Sequence, residues 1–143
     1  MALDNQDLKR AGLKATIPRI KVLEILETAD THHMSAEDVY KALLEGGEEV
    51  GLATVYRVLT QFESAGLVTR HHFESGHAVF ELERGDHHDH VVCLQCGRVE
   101  EFYDQTIEDR QKTVAGKMGY EIRDHSLVIY GKCVRQNCPN RPG

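Results

Sequence analysis

Leu52-Ala53-Thr54-Val55-Tyr56-Arg57-Val58-Leu59-Thr60-Gln61-Phe62-Glu63-Ser64 is followed by Gly66 and then by two short runs, Leu67–Phe73 and Ala78–Leu82. The first stretch has the period of a helix. Leu52, Val55, Leu59 and Phe62 share one arc, with Val58 at its edge. Ala53, Tyr56, Arg57, Thr60 and Ser64 occupy the opposite arc. The two runs flank Glu74-Ser75-Gly76-His77 and read as a hairpin whose turn can use Gly76 at positive φ. Upstream, Thr16 and Pro18 open a helix over residues 17–29, with Ile20, Leu23, Leu26 and Ala29 at helical spacing. Ser35-Ala36-Glu37-Asp38 has the form of a capping box for a helix through Leu44, ended by Gly46-Gly47. Three closely connected helices and a hairpin are the ingredients of a winged helix-turn-helix.

Arg84-Gly85-Asp86 marks the expected hinge to a second domain. Beyond it, Val91–Leu94 and Arg98–Phe102 read as strands turning at Gln95-Cys96-Gly97. A helix is expected from about Thr106 to Lys117, a strand over Tyr120–Lys132, and a loose tail from Gln136. The fold class is therefore α+β. A winged helix-turn-helix DNA-binding domain spans residues 1–83, and an α/β domain spans residues 84–143.

All four cysteines lie in the second part, as the pairs Cys93/Cys96 and Cys133/Cys138. Paired thiolates brought together from distant parts of a chain suit a tetrahedral structural Zn2+. A reducing cytosol favours that reading over two disulfides. The adjoining Asp86-His87-His88-Asp89-His90 offers a harder N/O environment, suited to an exchangeable divalent metal.

The chain of 143 residues carries a net charge of −6. Residues 1–83 hold 8 Lys+Arg against 14 Asp+Glu. Yet Lys9, Arg10, Lys14, Arg19 and Lys21 form a basic stripe with no acid among them, enough for local phosphate contact. The opposite arc of the third helix bears small residues with one Tyr and one Arg. Arg57 can fork onto guanine, and the Tyr56 ring can pack on a thymine methyl. No apolar run suits a membrane span and no signal pattern opens the chain, so a cytoplasmic protein with no membrane contact is expected.

Gly51-Leu52-Ala53-Thr54-Val55-Tyr56-Arg57-Val58-Leu59, His87-His88-Asp89-His90 and Cys93-Leu94-Gln95-Cys96-Gly97 together carry a family resemblance. Ala11-Gly12-Leu13-Lys14, Pro18-Arg19, His32-His33, Ser35-Ala36-Glu37-Asp38 and Tyr40 add to it. With these motifs, from about Leu8 to Cys138, the chain resembles the ferric uptake regulator family, most closely its proteobacterial members. The resemblance implies a homodimeric, metal-dependent repressor that binds AT-rich inverted-repeat operators of iron-acquisition genes in double-stranded DNA. Assembly of dimers into tetramers is left open. Fe2+ is the implied co-repressor, with Mn2+ or Zn2+ able to substitute, and the second domain is the implied dimerisation domain. The family pattern assigns a regulatory metal to His33, Glu81, His88 and His90, and a second N/O site to His87, Asp89, Glu108 and His125. His32 is a neighbour of the first site, and His71, His72 and His77 receive no role. DNA contacts fall on Lys14 in the minor groove, Tyr56 and Arg57 in the major groove, and Arg19 and Thr54 on phosphate.

Two other readings share these features. A zinc-uptake regulator or peroxide sensor of the same family would keep the cysteines and the winged helix; peroxide sensors typically have Asp where Glu81 stands. A small metal-dependent hydrolase would use the His/Asp cluster to activate water. A chain half spent on a DNA-reading head leaves it little wall for a substrate pocket, so no enzyme is expected.

Overall fold

The computed structural model describes residues 5–73, 78–83 and 87–135. The expected wing turn at Glu74–His77, the hinge at Arg84–Asp86 and Cys138 lie outside them. The chain divides into two compact units, Met1–Gly85 and Asp86–Gly143.

The first unit runs α1 (Asn5–Arg10), α2 (Ile17–Thr28), α3 (Ala36–Glu45), α4 (Leu52–Ser64), β1 (Val68–His72) and β2 (Ala78–Leu82). Helix α1 is an addition to the three helices expected from periodicity. It is too short to show a period, and the full burial of Leu8 ties it to the core. Helix α2 opens as its sequence suggests: Thr16 Oγ1 accepts the Arg19 N–H at 3.4 Å, with Pro18 in the first turn. In α3 the capping box is complete. Ser35 Oγ accepts from Asp38 N at 3.1 Å and an Asp38 carboxylate oxygen accepts from Ser35 N at 3.0 Å. Helix α4 ends in a Schellman motif, Leu67 N–H to Phe62 O at 2.9 Å and Gly66 N–H to Glu63 O at 3.1 Å. Gly66 closes it at φ +80°.

Val55, Val58, Leu59 and Phe62 bury one side of α4 against α2 and α3. Leu52, expected on the same arc, is 39% exposed, because it sits in the first turn at the edge of the packed face. Val22, Val39, Leu43 and Phe80 complete the centre of this core. Strands β1 and β2 pair antiparallel with Arg70 opposite Phe80 and Thr69 opposite Glu81. One further contact ties the helices to the hairpin. Met34, before α3, exchanges backbone hydrogen bonds with Phe80 at 3.1 and 2.7 Å.

The second unit comprises β3 (Asp89–Cys93), β4 (Val99–Phe102), α5 (Gln105–Lys117) and β5 (Val128–Gly131). The sheet order is β4-β3-β5, antiparallel on one side of β3 and parallel on the other. β3 starts two residues earlier than expected, because Asp89 already pairs with Phe102. The long strand expected over Tyr120–Lys132 is corrected to four residues. β3 offers β5 pairing only from His90 to Cys93. Upstream, Asp124 Oδ1 takes the His125 N–H at 2.9 Å, a local bond that competes with a sheet ladder.

Gly66→Ala is expected to destabilise the first unit by about 1–2 kcal/mol, since the left-handed region penalises a Cβ and no atom lies near enough to compensate. Gly66→Asn should cost less. Urea unfolding of the two variants checks the order, and equal stability of Gly66→Ala with wild type would contradict it.

Candidate functional site

Three sets of donors and one helix face emerge. In the first unit, Glu81 lies near the end of β2 and His33 in the loop before α3. The Met34–Phe80 bridge aligns them, because each is the chain neighbour of a bridged residue. His33 Nε2 lies 3.2 Å from Glu81 Oε2, and both side chains are buried. His71 Nε2 lies 2.7 Å from the other oxygen, Oε1. Sequence reasoning gave His71 no role. The hairpin register could have found it: Thr69 faces Glu81, so His71 shares that face one diagonal step away. His71 also stacks on Phe73, with ring centroids 5.3 Å apart. His32 and His72 are exposed.

In the second unit, the alternation of β3 sends His87 and Asp89 to one face and His88 and His90 to the other. The rings of His88 and His90 lie 4.9 Å apart, and His88 Nε2 lies 3.5 Å from Glu101 Oε1. Glu101 is a second omission. It stands opposite His90 in the β3–β4 register, which the turn at Cys96-Gly97 dictates.

On the opposite face, His87, Asp89, Glu108 and His125 bring one donor atom each within 4.8 Å of one another. His87 Nε2 lies 3.2 Å from Asp89 Oδ1 and 3.1 Å from Glu108 Oε1, and His125 Nε2 lies 3.1 Å from Glu108 Oε2. Glu108 is placed by the first turn of α5, which Asp104 caps through the N–H groups of Thr106 and Ile107. Asp89 is fully buried, yet neither of its oxygens accepts a hydrogen bond among the described residues. Two carboxylates buried side by side, with imidazoles as their neighbours, call for a cation. The donor set fits a divalent metal of intermediate hardness.

Cys93, Cys96 and Cys133 converge at the junction of β3 and β5. Cys93 Sγ accepts backbone N–H groups from Cys133 at 3.4 Å and Cys96 at 3.5 Å. Gly97, at φ +76°, closes the turn with its N–H on Cys93 O at 2.9 Å. The hydrogen bonds from the Cys96 and Cys133 amides pull the Cys93 thiol from 9.0 down to about 7. A sulfur held as thiolate near neutral pH is prepared for a soft metal. The fourth cysteine of the expected set, Cys138, lies outside the described residues.

On α4, Tyr56 and Arg57 are exposed and Thr54 is half-buried. Lys14 is exposed on the loop before α2. Arg19 is turned inward: its Nε and Nη2 both donate to Gln61 Oε1 at 3.1 Å, and Nη1 donates to Lys14 O at 2.9 Å. It links α2 to α4 and steadies the loop that carries Lys14.

A helix-turn-helix head with a hairpin wing, followed by an α/β unit built around thiol and imidazole–carboxylate donors, defines a metal-dependent DNA-binding regulator. The model of the ferric uptake regulator family matches residues 10–130. The ferric uptake regulation protein of Legionella pneumophila is 67% identical over 130 residues, 91% of this chain and 96% of that protein. The crystal structure of the Vibrio cholerae ferric uptake regulator superposes with a TM-score of 0.85 at 60% identity, covering 90% of this chain and 98% of that one. The Pseudomonas aeruginosa ferric uptake regulator with manganese gives 0.79 at 57% identity, covering 93% and 99%. The chain belongs to the ferric uptake regulator family, whose members are metal-dependent repressors that bind DNA as dimers.

Two outcomes test the donor sets. Glu108→Gln removes one of two crowded carboxylates, so the metal-free variant should be at least as stable as wild type in EDTA. It should also bind about one fewer Mn2+ per protomer by electron paramagnetic resonance; full Mn2+ stoichiometry would dissociate the cluster from metal binding. In metal-stripped protein, thiolate absorbance lost on Cys93→Ser should titrate near pH 7, present above that value and absent below. A midpoint near 9 would contradict the amide-stabilised thiolate.

Proposed function

We propose that this protein is a cytoplasmic, iron-responsive repressor of iron-acquisition genes, with Fe2+ as co-repressor and Mn2+ or Zn2+ able to substitute. The supporting observation is the buried Glu81 carboxylate, held between His33 and His71 in the unit that also exposes Tyr56 and Arg57. Part of a metal site is thus built into the DNA-reading head. His88 and His90, with Glu101 beside them, would supply the remaining donors from the second unit. A shared ion would supply positive charge to these donors, and sharing it between the two domains would couple metal occupancy to their arrangement. His87, Asp89, Glu108 and His125 would form an ancillary site inside the second unit, and Cys93, Cys96, Cys133 and Cys138 would hold a structural Zn2+.

The target would be an AT-rich inverted repeat, read by one α4 from each protomer of a homodimer. Arg57 and Tyr56 would contact base edges, Lys14 the minor groove, and Thr54 phosphate. Arg19, with three N–H groups committed internally, retains two that can reach phosphate. The second unit supports dimerisation through its surface: Met118 and Tyr120 are 69% and 70% exposed, while Val92 and Cys93 are its only buried apolar residues among those described. Glu at position 81, rather than Asp, favours the iron reading over a peroxide sensor. The reading assigns no catalysis.

The contrast between the two N/O sites tests the proposal. Glu81→Ala combined with His88→Ala should leave a zinc-loaded dimer that gains no operator affinity when ferrous ion is titrated anaerobically. His87→Ala combined with Glu108→Ala should shift the response far less. Fluorescence anisotropy on labelled operator reads both. An unchanged midpoint in the first variant with loss in the second would reverse the regulatory and ancillary assignments.

A further inference from the structure

Arg70, on β1, lies outside every donor set described above, yet it touches three residues of the reading helix. Its strand partner is Phe80, a fully buried ring whose backbone is pinned on the other side by Met34. The guanidinium carbon lies 5.0 Å from the Phe80 ring centre and 5.8 Å from that of Tyr56. Both distances are within cation–π range. The two rings meet edge to face, 6.4 Å apart at 87°, a favoured aromatic geometry. Nη2 lies 3.2 Å from Glu63 Oε1 and donates to Thr60 Oγ1 at 3.2 Å. Thr60 Oγ1 donates in turn to Tyr56 O at 2.9 Å. One cation therefore holds both the ring and, through Thr60, the backbone carbonyl of Tyr56.

Tyr56 itself remains 44% exposed. A half-exposed ring on a helix face would otherwise sample rotamers, and ordering it on binding would cost entropy. We propose that Arg70 is a positioning residue for base reading, clamping the Tyr56 ring against Phe80 so that one edge is presented to a thymine methyl. The inference rests on the reading of α4 as the recognition helix. A direct phosphate contact is the competing role for an arginine beside such a helix. Arg70 suits it poorly, because its charge is already balanced by Glu63 and its side chain is only 20% exposed.

The test uses full-length protein with Mn2+ and a duplex that the wild type selects from a randomised pool. Each thymine is replaced in turn by deoxyuridine, which deletes only the methyl. Wild type should lose about fourfold in affinity at a contacted position, the weight of one buried methyl-sized group. Tyr56→Ala should erase that preference. Arg70→Met, which keeps the aliphatic stem over Phe80, should erase most of it while thermal unfolding stays close to wild type. If wild type ignores the methyl, or Tyr56→Ala keeps the preference, Tyr56 is not a methyl reader and the underlying reading fails. If Tyr56→Ala erases the preference but Arg70→Met retains it, that reading stands and the role of Arg70 is overturned. A uniform loss of affinity with a shallower salt dependence and an intact methyl preference would make Arg70 a phosphate contact, and also overturns the proposal. Should Arg70→Met not fold, Arg70→Lys keeps the charge but not the fork. Its methyl preference should fall below wild type, and an unchanged preference counts against the clamp.

Discussion

Burial of carboxylates is the constraint around which both units are organised. Glu81, Asp89 and Glu108 are each shielded from water, and each has an imidazole nitrogen within 3.2 Å. A desolvated carboxylate is costly unless positive charge or hydrogen-bond donors meet it. Imidazoles meet that need only in part, since a neutral ring offers a single donor. Such arrangements are favourable with a cation among them, so anything that binds the folded donors would add to their stability.

In the first unit, a single residue joins the His33–Glu81 pair to the exposed face of α4. The backbone of Phe80 holds the loop that carries His33, its chain neighbour is Glu81, and its ring supports Tyr56 and Arg70. Well-packed interiors transmit displacement because they leave no free volume to absorb it. Donor positions and α4 therefore share a rigid support within one small core. Arg19 adds a second link, from the Lys14 loop through Gln61 to α4.

The second unit is stabilised by different means. Its sheet is only three strands wide, and its buried residues are as much polar as apolar. A domain this small buries only a modest core, so burial alone leaves it marginal. The converging thiols of Cys93, Cys96 and Cys133 and the apolar side chains exposed on and after α5 point to the two remaining sources, metal and a second copy.

Much of this was legible in the residues. Helical period, the Thr16 and Ser35 caps and the closing glycines determined α2, α3 and α4, because these signals are local. Strict alternation separated His87 and Asp89 from His88 and His90, because the period of a strand is two. The thiol pairs announced themselves by spacing. Short-range pattern could not show that Leu8 anchors an extra helix or that residues 120–127 forgo a sheet. Burial and strand pairing decide those points, and both depend on chain segments far away in sequence. The same holds for His71, Glu101 and Arg70. Each is an ordinary strand residue until the register sets it on Glu81's face or opposite His90 or Phe80, and only the folded sheet makes that choice.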